Sequence, residues 1–598
     1  MGLRYSRDTG RSDADLPPMT CDQINVANFT VGGVAYVPCS GSALILDSLA
    51  PDLGARVRQP NTNFGPQVGF AYDPTGSGKT VIRGGVGLYF ENGVFNNILF
   101  DRPARLPEGL FWGSSSSCPP SICGHRVGDV LSAAIASQAA YQAAAKAGGP
   151  AVNGSFLGEV LSEGNNSTGQ GLFNPKFRTP RSIQMNLGIQ RELKPGVVLS
   201  ADFIRNVGEH YLIGVDMNHS GDARFLNKTA ALNAITATNA GFGCAGTSAA
   251  AINCAIAAGA TIGDFAGNGL TASNDPNFLS GTPAALNGLT PDTGAAFPGI
   301  NPLFGEMLME NSIGRSTYTG LQTKVTARKE NLLPGIPHSN WTAAVAISRF
   351  NTTAFGGDQD FLPYAWDVNL PTRYYGPGAL DRTFQLSFGG YFQIGRRGPA
   401  ISLGAHFNSP RASDLYMENQ TRPGEIFLTD TTGDGENGDP IAGFKLGQFG
   451  RGVDGGNINN VINAFNAANA GKLTPAGQAL VNAGLFTPAQ LASLGAVIDT
   501  VPLAPAGQIS NPWFKGFDTK LSWPIKLGER FTLEPSVGAF NVFNFANFAR
   551  NSGNLSGSAG SPNGTAGLDK ETLRIGLGTG LNTAGAPRQL EFGLKLTF

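Results

Sequence analysis

The sequence is poor in charge. Charged residues make up 14% of its 598 positions, against roughly 25% in ordinary soluble domains. The formal net charge is −1, so there is neither the basic excess that nucleic acid would attract nor an acidic arm. Long apolar runs are missing as well. No stretch of about 18 apolar residues occurs, which excludes a membrane-spanning helix. A membrane-spanning barrel stays open, because its strands need only ~9–11 residues each. The opening "MGLRYSRDTGRSD" lacks the apolar region of a signal peptide. That leaves two expectations, a protein kept inside the cell or a chain that starts after its signal.

Catalytic constellations are lacking too. There is no G-x-S-x-G elbow, no H-E-x-x-H and no C-x-x-C. The five histidines, His125, His210, His219, His338 and His406, are scattered. They read as polar residues, mostly of loops, rather than as ligands or bases. The sequence therefore predicts no enzyme. One stretch, "AYDPTGSGKTVIRGG" at 71–85, imitates the phosphate loop G-x-x-x-x-G-K-[ST]. Asp73 stands where the first glycine should be. An alternating apolar pattern after Thr80 predicts a strand, whereas an anion site needs a helix N-terminus there. No nucleotide and no nucleic acid is expected as a partner. Asp73 to Lys79 is instead read as a periplasmic hairpin turn, with glycines supplying unusual backbone angles.

Glycine is plentiful, at 82 residues, about twice its usual share of ~7%. Strict alternation is the strongest positive signal. In "RQLEFGLKLTF", Leu590, Phe592, Leu594, Leu596 and Phe598 take one face, and Gln589, Glu591, Gly593, Lys595 and Thr597 the other. That period of two marks a strand with one apolar face. "SIQMNLGIQ" and "TFQLSFGGYFQI" repeat it. Twelve strands are predicted, near 2–8, 62–73, 79–91, 180–193, 196–206, 315–329, 339–351, 381–394, 399–408, 513–526, 529–543 and 587–598. Short turns alternate with long connections near 9–61, 92–179, 207–314, 352–380, 409–512 and 544–586. Up-and-down membrane barrels sort their loops this way, short on the periplasmic side and long outside. A soluble sandwich or propeller rarely needs several connections beyond ~12–15 residues.

Trp513 and Trp523 lie ten residues apart on one strand face. At ~3.3 Å per residue and a tilt near 45° they stand roughly 23 Å apart along the membrane normal. That matches the two aromatic girdles of an apolar band about 25 Å tall. Pro66, Pro524 and Pro535 fall inside predicted strands, where a missing N–H predicts bulges or strand ends. Helical patterns occur inside the long connections, at 129–148 and twice within 473–498. The latter pair opens on Thr474–Pro475 and Thr487–Pro488, a cap followed by proline at the first helical position. The external loops are thus expected to be folded.

The six cysteines group by loop as Cys21 with Cys39, Cys118 with Cys123, and Cys244 with Cys254. Loop membership favours three local disulfides over the other connectivities, formed in an oxidising compartment. Metal ligation is the weaker reading, because the spacing and the scattered histidines do not suit it. One acidic loop, "LTDTTGDGENGDP" at 428–440, opens like the calcium pattern D-x-[DN]-x-[DN]-G. Its twelfth position is Ile441 rather than glutamate, so it is no EF-hand. Asp430, Asp434, Glu436 and Asp439 could form a smaller oxygen cage for Ca²⁺; the competing reading is a solvated acidic turn. No other cofactor is expected.

Several stretches resemble a known family. They are "NFGPQVGFAYDPTGSGKTVIRGGVGLYFEN" (63–92), "TPRSIQMNLGIQREL" (179–193), "SIGRSTYTGLQTKVTARKE" (312–330) and "DTTGDGENGDP". All are similar to the Oar-like branch of TonB-dependent outer-membrane receptors. "FNVFNFANF", with Asn541, Val542, Phe543 and Asn544, looks like that family's penultimate-strand motif. The final "LEFGLKLTF" looks like the signal read by the barrel assembly machinery, carried by Phe592, Leu594, Leu596 and Phe598. The resemblance runs from residue 2 to 598 through strands and turns. It implies an outer-membrane location, lipid and assembly-machinery contacts, an extracellular ligand, and energy coupling through the TonB complex. Such receptors also have a signal peptide, a TonB box and a plug before a barrel of 22 strands. None of these is recognisable here, so the chain resembles the C-terminal barrel portion of a receptor. A smaller self-closed barrel, with 2–8 paired to 587–598, is the other geometry considered. The expected function is TonB-dependent uptake of a bulky nutrient; a structural or adhesive barrel, or a passive pore, is the alternative.

Overall fold

The computed structural model describes residues 1–7, 29–31, 34–36, 41–91, 122–148, 172–273, 294–302, 305–353, 364–417, 422–441, 445, 447–504, 510–547, 554–556, 567–568 and 587–598. Twelve strands carry the fold: β1 (Gly2–Tyr5), β2 (Phe64–Tyr72), β3 (Thr80–Phe90), β4 (Arg181–Lys194), β5 (Val197–Asp216), β6 (Leu308–Leu333), β7 (Ile336–Thr352), β8 (Phe384–Gln393), β9 (Ala400–Asn408), β10 (Phe514–Ser522), β11 (Phe531–Phe540) and β12 (Gln589–Thr597). Each pairs antiparallel with the next, in chain order. This up-and-down order is the barrel wall that the alternation predicts. Among the described residues β1 pairs with β2 alone and β12 with β11 alone, so these residues do not form the self-closed geometry. Closure through β1 would leave most of β12 unpaired, since β1 has four residues and β12 nine.

Register makes the two faces explicit. Phe70, Gly84, Leu187, Phe203, Leu321, Ile347 and Phe384 stand side by side across seven strands. The six side chains of this row are all exposed, the arrangement of a lipid-facing band. One residue along each strand, the next row is Ala71, Arg83, Gly188, Asp202, Gln322, Ala346, Gln385 and Asn408. A pleat puts adjacent residues on opposite faces, so the polar row lines the other side of the wall. The terminal apolar residues Leu590, Phe592, Leu594, Leu596 and Phe598 are likewise exposed.

The prolines divide. Pro524 and Pro535 lie at one short gap in the β10–β11 ladder, which resumes at Ile525–Leu527. The register on either side of the gap is unchanged, and the Trp523 N–H donates to the Pro535 carbonyl at 3.0 Å. Pro524 interrupts its strand, as expected, whereas Pro535 stays inside β11 and pairs with Leu594 without a bulge. Pro66 sits opposite Leu3 with no bulge. The β2–β3 ladder begins only at Gln67, so no partner on that side needs its missing N–H. Trp513 and Trp523 flank β10, one before Phe514 and one after Ser522, and both are exposed.

Two strands run much longer than alternation predicts. β5 extends to Asp216 and β6 begins at Leu308. This brings His210 onto a strand, and His338 and His406 also lie on strands, so only His125 and His219 fit the loop reading. The reason is a change of surroundings. Ile213, Val215 and Met309, near the far end of the β5–β6 hairpin, are buried. Ile213 and Val215 pack with Ala365 and Val368 instead of facing lipid. Covered strands need not alternate.

Beyond that hairpin lies a helical module built from two separate connections. The first supplies α2 (Lys228–Gly241), α3 (Ala249–Ala257) and α4 (Ile262–Gly267); in the second, α5 (Ile458–Asn469) packs into a separate core with Ile441 and Phe449, and α6 (Pro475–Asn482) and α7 (Pro488–Ser493) join the module. A further helix, α1 (Val127–Gly148), occupies the earlier predicted helical stretch. One apolar core joins Ile235, Ile252 and Phe265 of the first connection to Phe427, Leu480 and Leu491 of the second. Backbone bonds cross the seam, including Ile262 N–H to the Leu494 carbonyl at 2.9 Å. Thr474 and Thr487 cap α6 and α7, the positions read from sequence.

Candidate functional site

The polar wall presents charge where a packed core would present none. Arg83 reaches over β4 to Asp202 on β5, with Nη2 and Oδ2 3.0 Å apart and Nε and Oδ1 3.2 Å apart. Gly188 lies directly beneath the pair, and a Cβ there would fall 1.9 Å from Asp202 Oδ1. Glycine on β4 is therefore what lets the ion pair span two ladders. Farther along the wall, Ser200, Asp202, Gln322, Lys324, Ser387 and His406 line a shallow depression of about 430 Å³.

The stretch at 71–85 is a hairpin turn. β3 starts at Thr80 and pairs back onto β2 through Ile82 and Tyr72. Asp73 itself takes the turn's N–H groups, accepting from Thr75 at 2.9 Å and from Gly78 at 2.6 Å. Those bonds, Gly78 first and then Thr75, hold its carboxyl below the usual range. Gly76 and Gly78 both have positive φ. The donors that a phosphate would need are already occupied by the carboxylate.

Cys244 and Cys254 form a disulfide with a Cα–Cα distance of 6.0 Å. It joins the end of α2 to α3 within the helical module. Cys123 is also disulfide-bonded. Cys21, Cys39 and Cys118 lie outside the described residues. Replacing Cys244 and Cys254 by serine should destabilise the module by ~2–4 kcal/mol and leave the strands paired. Protease cutting confined to residues 228–273 and 475–496 would show this; equal cutting of the strands would contradict it.

The acidic loop lies against the module and is held by the first connection. Ala223 N–H donates to the Gly433 carbonyl at 3.0 Å, and Asp222 forms a β-bridge with Asp434. Gly435 has φ +96°, and a Cβ on it would meet the Ser220 carbonyl at 2.0 Å. Only glycine suits that seat. Asp430, Asp434 and Asp439 are almost wholly buried. One carboxylate oxygen from each lies within 4.8 Å of the other two. Glu436 keeps some exposure to solvent and is not one of this trio; its N–H donates to Asp434 at 3.3 Å.

Electrostatics separate these carboxylates from their neighbours. For Asp222 burial alone would raise the pKa, but the His219 ring 3.6 Å away and the bonds from Arg224 prevail and hold it below the usual range. Arg224 sits 2.6 Å from it. Burial, then the Asp439 and Asp434 charges, push Asp430 well up. Burial raises Asp434 to about 6, and burial with the Asp434 charge raises Asp439 to about 7. Glu436 is raised by burial and by Glu306, Asp434, Asp216 and Asp430.

Sequence reasoning missed the ion pairs Arg224–Asp222, Arg373–Asp367 and Arg451–Asp381, whose partners lie in irregular segments without a periodic signal. It also missed α2 to α4. Their caps were readable: Asn227 and Ser248 accept from the first-turn N–H groups, and Thr261 with Asp264 forms a capping box.

A family model described as an outer membrane beta barrel domain matches residues 1–590. No curated protein matches. Among solved structures, the chain is similar to the outer membrane transporter YddB from Escherichia coli. Identity is 7%, covering 90% of this chain and 40% of that one, with a TM-score of 0.37. A mutant of the ferric enterobactin receptor PfeA from Pseudomonas aeruginosa matches at 9% identity, 90% and 40% coverage and a TM-score of 0.34. The ferric-catecholate import receptor Fiu from Escherichia coli matches at 9%, 94% and 40%, with a TM-score of 0.31. The chain thus spans 40% of the length of each of these three structures.

Proposed function

The chain belongs to the outer membrane beta barrel domain family, and from that membership we propose that it is the wall and ligand-capturing loops of a TonB-dependent uptake receptor. One observation carries the reading: the wall is apolar on one face and openly polar on the other, with Arg83, Asp202, Gln322 and Lys324 unburied. A barrel of about eight strands fills its interior with side chains, whereas larger ones enclose water or a plug. Twelve strands in one continuous meander with charge on the inner face suit a wide lumen. Such a lumen serves passage, which a purely adhesive barrel does not require.

Within this proposal the long connections outside the barrel capture a bulky nutrient, and no bond-making chemistry is involved. The short turns, including Asp73 to Lys79, face the periplasm. Trp513 and Trp523 lie at the two lipid interfaces. The exposed face of β12, ending at Phe598, is the surface offered to the assembly machinery. Support for TonB coupling in the intact protein comes from the sequence resemblance to the Oar-like branch.

The test compares cells expressing the intact protein, with and without a working TonB complex, by following which solutes disappear from a complex medium. Uptake predicts solutes depleted only when both barrel and TonB are present. Depletion that ignores TonB would establish a passive pore. No depletion beside unchanged surface display would favour adhesion.

A further inference from the structure

We propose that the loop at 429–440 binds a hard divalent cation of calcium size, with Asp430, Asp434 and Asp439 supplying carboxylate oxygens. This goes beyond the uptake reading and does not depend on it. Dimensions come first. Calcium holds oxygens at ~2.3–2.6 Å, so two ligands on opposite sides of one ion are about 4.6–5.2 Å apart. The three carboxylates, each with an oxygen within 4.8 Å of the others, fit around a single ion.

The second observation concerns unmet bonding. Asp439 is 1% exposed. Its Oδ2 accepts from Thr431 N–H at 2.7 Å, Thr431 Oγ1 at 2.8 Å and Thr432 N–H at 2.8 Å. Its Oδ1 is buried with no hydrogen-bond partner. Asn437 Oδ1, in the same loop, is also buried without a partner. Both are acceptors, so what the loop lacks is positive charge. Among the described residues no lysine or arginine pairs with Asp430, Asp434 or Asp439. The nearby buried Asp222 and Asp367 do have arginine partners. An unpaired buried carboxylate costs several kcal/mol, and a cation shared by three removes that cost together with their mutual repulsion.

The remaining carboxylate bonds hold the trio in place. Asp430 accepts from the N–H groups of Gly433 and Gly435. Asp434 accepts from Thr432 Oγ1 at 2.8 Å and from Val368 N–H. The loop is also pinned through Gly433 to Ala223. A bound ion would therefore lock the connection at 409–512 against those at 207–314 and 352–380, stiffening the surface above the barrel.

The experiment uses the full chain in detergent, stripped with a chelator and titrated with CaCl₂ by calorimetry. Protease cutting within 422–441 is followed in parallel. One equivalent of Ca²⁺ should bind and should slow cutting at least tenfold. Asp434→Asn and Asp439→Asn should each weaken Ca²⁺ at least tenfold. Without Ca²⁺, Asp439→Asn should resist protease no less than the stripped parent, because it removes a repelling charge and its amide nitrogen can take the place of the unbonded Oδ1. The parent's response to Ca²⁺ decides the matter even if a variant fails to assemble. Absence of heat and of protection in the parent would overturn the proposal. So would undiminished binding in both variants, and Mg²⁺ binding as tightly as Ca²⁺ would overturn the size assignment.

Discussion

Replacing Arg451 by methionine should cost the folded loop region ~3–5 kcal/mol, the usual result of leaving one member of a buried ion pair alone. Asp381 is fully buried and Arg451 is 9% exposed. The guanidinium bonds to the Asp381 carboxylate, and also donates to the Asp381 carbonyl at 2.7 Å, the Pro410 carbonyl at 3.1 Å and the Gly450 carbonyl at 2.6 Å. Asp381 in turn accepts from the Phe350 N–H at 2.6 Å. One side chain thus ties together the end of β7, the turn before β8, the segment after β9 and the longest described connection. Methionine keeps the volume and removes every donor. The expected result is early protease cutting between 445 and 504 with the strands intact. Adding Asp381→Leu should recover part of the loss, since no unpaired charge is then buried. The recovery is partial because Phe350 N–H loses its acceptor, at about 1–3 kcal/mol. A single variant as resistant as the parent would show that the pair contributes little.

How much of this was legible depends on where periodicity operates. Within the wall, lipid on one side and water on the other impose a period of two, and "LEFGLKLTF" displays it at sight. All twelve strands therefore follow from sequence, as does the hairpin hidden in "AYDPTGSGKTVIRGG". The same logic fails at Tyr211 to Asp216, where the module covers the strand and Ile213 and Val215 are buried instead of lipid-facing. Helices were legible where a cap and a proline coincide, at Thr474 and Thr487. The shared core was not, because Phe265 and Phe486 meet at 5.5 Å from connections more than 200 residues apart. No local pattern carries that contact. Asp430, Asp434 and Asp439 could be suspected from spacing alone, but their burial and the missing counter-charge required the surrounding loops.

Arginine at Phe203 should destabilise the wall by about 2–4 kcal/mol, the cost of a basic side chain near the bilayer midplane. Arginine at the next residue, Ile204, should cost less than 1 kcal/mol by the same argument, since it points into the polar side. Phe203 belongs to the exposed apolar row between Leu187 and Leu321. It lies seven residues above the turn at Gly196, roughly 16 Å along the normal for a strand tilted near 45°. Ile204 pairs with Asn186 and Gly320 and shares its depression with Gln184 and Asn206. An added guanidinium there meets polar side chains and water. The two variants differ by one position and carry the same charge, so chain-wide effects cancel in the comparison. Folding into lipid vesicles, followed by the heat-dependent shift of the barrel on a gel, reads both. Equal losses would mean that the two faces share one environment, and the assignment of lipid to the Phe70–Phe384 row would fall. A larger loss at Ile204 would reverse the wall. The expected order places the charge-bearing face, with Arg83, Asp202 and Lys324, on the water-filled side, as the proposed uptake requires.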